Sequence, residues 1–249
     1  MLNESVKRLY VSWRNPTTAE WRCIGRLERA NVNGTSFCFE YLRGAKLAHE
    51  FRPLAGLPDL DGRYCSDELF AVFSTRLMQR NRLDYPIYMQ WLGLPVTDKV
   101  DEFAELALSG GVRTADTIQL FPEPAQRDGR YETLFFVHGI RYQSPIAIAK
   151  SQELQAGELL GFVADTSSKF DGCAQGIYWN ELQLGYVPRY LSCDIAKLNL
   201  APDAVLSLEA VNADAPLSHR LLCRFSAPWP LGFEAFGQEE FQSLVPTPA

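Results

Sequence analysis

The chain has 249 residues, 47% hydrophobic, 12% aromatic and 22% charged. This is a globular composition with apolar mass for one large or two modest domains. The formal net charge of −6 argues against a protein that coats long duplexes, which needs a broad basic face, but leaves room for a pocket served by a few local cations. No apolar run approaches the roughly 18 residues of a membrane span, and residues 1–8 carry no secretory pattern. Six cysteines (Cys23, Cys38, Cys65, Cys173, Cys193, Cys223) show no C-x-x-C pair and no histidine at ligand spacing. They read as reduced, cytoplasmic thiols packed as small apolar groups, with no metal site and no cofactor.

The chain opens as β-structure. Residues 9–13, 21–27 and 36–42 read as strands, separated by Asn15-Pro16 and Asn33-Gly34 turns. A loop punctuated by Pro53 and Pro58 follows. Ser66 reads as the N-cap of a helix, with Asp67 and Glu68 in its first turn and Leu69, Phe70, Phe73 and Leu77 at helical spacing. Asp84 opens a second helix through Tyr88 and Trp91, closed by Gly93. Asp98 opens a third through Phe103 and Leu106, closed by Gly110-Gly111. A strand at 117–121 leads into a linker containing Pro122, Pro124 and Gly129, which divides a domain over 1–124 from one over 130–226.

The second half is strand-rich. Residues 131–140 and 159–163 read as strands, 177–179 and 182–186 as a hairpin around Asn180-Glu181, and 205–209 and 220–225 as two more strands. Pro188 starts a short helix through Leu191, Ile195 and Leu198. The pattern predicts a small, partly open barrel. The tail, 227–249, packs through Trp229, Phe233 and Phe236 and then frays.

Three segments of this half carry chemistry: Gly139-Ile140-Arg141-Tyr142, Lys169-Phe170-Asp171, and Leu184 through Arg189. Tyr142 and Phe170 stand at the ends of a strand and a polar turn, where two rings can sandwich an unpaired base for about 1–3 kcal/mol per base. Arg141 and Arg189 suit phosphate oxygens, with Lys150 and Lys169 as flanking cations. Tyr186 is placed at the same pocket. Asp171 is either an acceptor for a terminal hydroxyl, which would also repel a terminal phosphate, or an Asx-turn residue capping its own loop. His138, on an apolar strand, reads as a core or edge histidine. No Ser/His/Asp or Cys/His set and no carboxylate cluster argues for catalysis.

In order and spacing these three segments resemble the HIRAN domain, a small β-barrel of DNA-remodelling and repair ATPases and of many bacterial proteins. The resemblance implies an OB-like or SH3-like barrel with one or two short helices, binding 3′ ends of single-stranded DNA. Arg141, Tyr142, Phe170, Asp171, Tyr186 and Arg189 would be its contacts, with the hydroxyl role at Asp171. Phe170 stands where the family usually has tyrosine, and Gly172-Cys173-Ala174 departs from its usual asparagine and small apolar residues. The first half resembles the N-terminal small domain of HipA-type toxin kinases, through Ile24-Gly25-Arg26-Leu27, residues 37–41, Arg52-Pro53-Leu54, Leu57-Pro58, residues 64–70 with Phe73, and residues 106–111. Neither a phosphate-binding G-x-x-x-x-G-K-[ST] nor a kinase catalytic loop is present, so kinase activity is not carried over. The expectation is an α+β, non-enzymatic, bacterial and cytoplasmic protein. Its first domain would contact a HipA-type kinase or a DNA-processing enzyme, and its second would hold DNA ends. The alternative is an antitoxin-like regulator of such a kinase, with the barrel as a structural platform.

Overall fold

The computed structural model describes residues 6–32, 35–97, 101–113, 117–168 and 171–244. The chain forms two compact units, Met1–Glu123 with Gly237–Ala249, and Pro124–Phe236. The fold is mixed α+β, with two antiparallel sheets and six α-helices among the described residues.

In unit 1 the strands are β1 (Arg8–Arg14), β2 (Trp21–Val32), β3 (Thr35–Tyr41), β4 (Arg63–Ser66) and β5 (Ile118–Pro122), in the order β4-β3-β2-β1-β5. Alternation along them, interrupted in β2 by a bulge at Ile24, sends Leu9, Val11, Ile24, Leu27, Phe39, Tyr41 and Leu120 into one core. The helices are α1 (Arg43–Leu47), α2 (Ala71–Ser74), α3 (Tyr85–Trp91) and α4 (Glu102–Ser109). From them Phe73, Phe103 and Leu106 join the same core. The Tyr41 hydroxyl organises the proline-rich loop, accepting from the Leu54 N–H at 2.7 Å and donating to the Leu57 carbonyl at 2.8 Å.

Helix starts differ from expectation where a capping residue has other work. Ser66 closes β4 opposite Phe37, and its hydroxyl accepts the Glu68 N–H at 3.1 Å, so it forms a local turn and the helix begins only after Phe70. Asp84 does precede α3, but its carboxylate grips Arg82 at 2.7 Å. Asp98 lies outside the described residues; Asp101 caps α4, accepting from Phe103 and Ala104 at 3.0 and 3.4 Å.

In unit 2 the strands are β6 (Ala125–Arg127), β7 (Arg130–Phe136), β8 (Leu159–Ala164), β9 (Gln175–Trp179), β10 (Leu182–Tyr186), β11 (Val205–Val211) and β12 (Leu221–Pro228). The helices are α5 (Pro145–Lys150) and α6 (Arg189–Leu198), and the sheet order is β10-β9-β8-β11-β12-β7-β6. β8 is shared: Leu159 and Leu160 pair with β11, whereas residues 161–164 pair with β9. His138 then bridges Tyr186, with N–H···O distances of 2.9 and 2.8 Å, joining the end of β7 to β10 and closing the circuit into a barrel. That closure requires glycine at 185, because a Cβ there would lie 2.4 Å from the His138 carbonyl oxygen. The strand expected over 131–140 stops early because Gly139 turns to φ 74°.

Two further expectations are corrected. Four of the six cysteines are not reduced: Cys38 is bonded to Cys65 and Cys173 to Cys193, leaving Cys23 and Cys223 as buried thiols. Cys38 and Cys65 are 27 apart in sequence but directly opposed across β3 and β4, a juxtaposition that sequence spacing does not reveal. The segment after Phe236 does not fray at its start. Gln242 accepts the Arg43 N–H at 2.8 Å, Glu240 accepts the Cys23 N–H at 3.0 Å, and Phe241 packs on Tyr10. Trp229 and Phe233 do pack as expected, against Tyr131.

Candidate nucleic-acid interface

The closure of the barrel positions the site. Beyond His138 the chain passes through Gly139 into a single 3-10 turn, Ile140–Tyr142. Buried Ile140 anchors the turn, so its neighbours Arg141 and Tyr142 are pushed outward. Tyr142 is 74% exposed, unusual for a large ring held on an ordered turn. The Arg141 guanidinium lies over this ring at 4.7 Å from its centroid, a cation–π contact that also fixes the cation. A Cβ at position 139 would lie 3.5 Å from Cδ2 of Tyr186 and 3.9 Å from Cδ2 of Tyr142, so this glycine lies beside both tyrosine rings. Ser144 caps α5 through the Ala147 N–H at 3.2 Å, and Ile146 in its first turn is 72% exposed.

The second wall is the loop after β8. The Tyr186 hydroxyl donates to Asp165 at 3.1 Å. Hydrogen bonds from the Ser167 hydroxyl and N–H, with that from Tyr186, hold the Asp165 carboxyl below the usual carboxylate range, so it stays ionised. The same loop returns through the Asp165 N–H to the Ala174 carbonyl at 2.9 Å and the Asp171 N–H to the Ser168 hydroxyl at 3.2 Å. Asp171 therefore belongs to the loop that Tyr186 holds. One of its oxygens accepts the Cys173 N–H at 2.9 Å, an Asx-type turn, and the other has no hydrogen bond among the described residues. Lys169 and Phe170 lie outside the described residues.

Arg189, the first residue of α6, follows Tyr186 by three positions across buried Val187 and Pro188. Among the described residues neither Arg141 nor Arg189 has an ion pair, whereas Arg224 in the same unit is held by Glu209 at 2.8 Å. Lys150 pairs with Glu153 at 3.3 Å and lies over the Trp179 ring at 4.6 Å. His138 is half-buried, desolvation pushes its pKa down to about 4, and its backbone serves the fold by bridging Tyr186. Sequence reasoning missed Asp165; the signal available was Asp165-Thr166-Ser167, an Asx-turn pattern immediately after a strand. Arg141, Tyr142 and Tyr186 are brought together, with the Asp171 loop tied to Tyr186 and Arg189 a short step along the chain.

No family model matches the chain, and no curated protein does. Among solved structures, the HIRAN domain of human HLTF aligns at 16% identity and a TM-score of 0.30, covering 40% of this chain and 77% of that one. A protein from Lactobacillus plantarum aligns at 17% identity and a TM-score of 0.30, covering 40% of this chain and 97% of that one.

Proposed function

We propose that unit 2 is a binding module, not an enzyme, for the end of an unpaired nucleic-acid strand, specifically a single-stranded DNA 3′ terminus with a free hydroxyl. The observation that carries this reading is the exposed Tyr142 ring beneath an arginine that has no ion pair among the described residues, with Tyr186 near the same glycine. A ring of that exposure offers a stacking platform for a base, and Arg141 and Arg189 offer charge to phosphates. The loop after β8 carries two carboxylates, Asp165 and Asp171, and so disfavours a phosphate there while accepting a hydroxyl. The arrangement thus has a polarity, with phosphates toward the arginines and the terminal hydroxyl toward Asp171. The sequence resemblance to HIRAN domains supports the same assignment. For unit 1 we propose protein contacts, with a HipA-type kinase or a DNA-processing enzyme as partner, on its sequence resemblance alone.

Anisotropy titration with matched oligonucleotides tests the reading. A 3′-hydroxyl strand should bind, and a 3′-phosphorylated strand should bind more weakly. With two phosphates contacted, the slope of log K against log salt should be shallow, about −1.4. Asp171→Asn should erase the discrimination between the two ends. Equal binding of both ends by the unaltered protein would remove the hydroxyl role, and no binding of either would remove the module.

A further inference from the structure

The Cys173–Cys193 disulfide joins the two halves of this candidate site. Cys173 sits in the loop of Asp171, and its own N–H orients that carboxylate at 2.9 Å. Cys193 is on α6, the helix that begins with Arg189. The covalent loop of sequence separation 20 therefore encloses β9, β10, Tyr186 and Arg189, while Tyr142 and Arg141 stand outside it. Both sulfurs belong to partly exposed residues, and an oxygen of Asp171 lies within 4.8 Å of both. A reductant can reach the bond, and breaking it frees the turn that aims the carboxylate.

We propose that Cys173–Cys193 is a redox-responsive latch that sets the geometry of Asp171 relative to Arg189, and so governs which strand end the site accepts. The proposal rests on the end-binding reading of the same site. In the step, a dithiol reductant attacks one sulfur and the Cys173–Cys193 bond breaks. Two electrons and two protons pass to the protein as two thiols, and the reductant leaves as its own disulfide. The oxidised form holds Asp171 pre-oriented for a hydroxyl. The reduced form keeps the stacking surface of Tyr142 and loses the selectivity of the carboxylate. This asymmetry separates the latch from a disulfide that merely holds the barrel together, whose loss would weaken all binding alike.

The test uses the full chain, oxidised, dithiol-reduced, and as the double variant C173S/C193S, with C38S/C65S as control. Two measurements are made: the affinity ratio between 3′-hydroxyl and 3′-phosphate oligonucleotides, and amide hydrogen exchange over residues 171–175. The latch predicts that reduction or C173S/C193S lowers the ratio roughly fivefold or more, the scale expected for losing one pre-oriented group, and speeds exchange at Cys173 and Ala174. C38S/C65S should leave both unchanged. If the oxidised protein binds and discriminates, a ratio left unchanged by reduction and by C173S/C193S overturns the latch. If no oligonucleotide binds even the oxidised protein, the end-binding reading fails; exchange then decides the latch as a structural device, and unchanged protection over 171–175 overturns it.

Discussion

Tyr142 and Gly139 show how much of the site depends on single residues. Tyr142→Ala removes an exposed ring that buries nothing in the core. It should therefore leave the melting temperature unchanged while costing about 1–3 kcal/mol of oligonucleotide binding, the range for one stacked base. Calorimetry beside anisotropy checks both halves, and a fall in stability would mean the ring packs rather than stacks. Burial holds the His138 imidazole at a pKa of about 4 against an ordinary 6.5, which gives a sign to the pH dependence of unit 2. Above the unfolded value neither state takes the proton and the stability is whole. As pH falls from 6.5 toward 4, the unfolded chain binds a proton that the folded chain refuses, and stability is lost. His138→Phe should flatten this decline in a melting series between pH 7 and 4. It should not abolish it, because burial lowers the pKa of His219 as well.

At the scale of elements, two close approaches decide whether the sheets hold. Gly185→Ala would set a Cβ 2.4 Å from a backbone oxygen and 2.5 Å from Val137 Cγ1. It should cost at least the roughly 1–3 kcal/mol of overpacking and expose the His138 and Tyr186 amides to exchange. In unit 1 the edge strand β4 is tied to β3 by Cys38–Cys65 across a sequence separation of 27. Replacing both with serine should destabilise that unit by about 3 kcal/mol through the restored freedom of the unfolded loop, measured by denaturant titration. Strands β1, β2, β3, β5 and β7 through β12 were legible because their apolar alternation is a local signal. Helices α1 and α5 and strands β4 and β6 were not. They are short and nearly devoid of periodicity; α5 forms behind the Ser144 cap with Pro145 in its first turn, and β4 and β6 form because a neighbouring strand completes their hydrogen bonds.

For the whole molecule, the chain divides between Glu123 and Pro124, but its last segment returns to the first unit. A chain ending at Phe236 loses the carbonyl of Gln242 from Arg43, the carboxylate of Glu240 from Cys23, and the Phe241 ring from Tyr10. Its unit 1 should unfold at lower temperature, with loss of order 2–4 kcal/mol at about 1 kcal/mol per contact, while the transition of unit 2 stays in place. The sequence alone determined the α+β composition, most strand positions, and Arg141, Tyr142, Asp171, Tyr186 and Arg189 as candidates, because each follows from local pattern and side-chain chemistry. Only the tertiary structure decided which cysteines pair, that His138 closes the barrel on Tyr186, that Asp165 anchors that tyrosine, and that the last segment rejoins the first unit. Those facts depend on residues far apart in the chain meeting at a few ångströms, a relation that no local periodicity encodes.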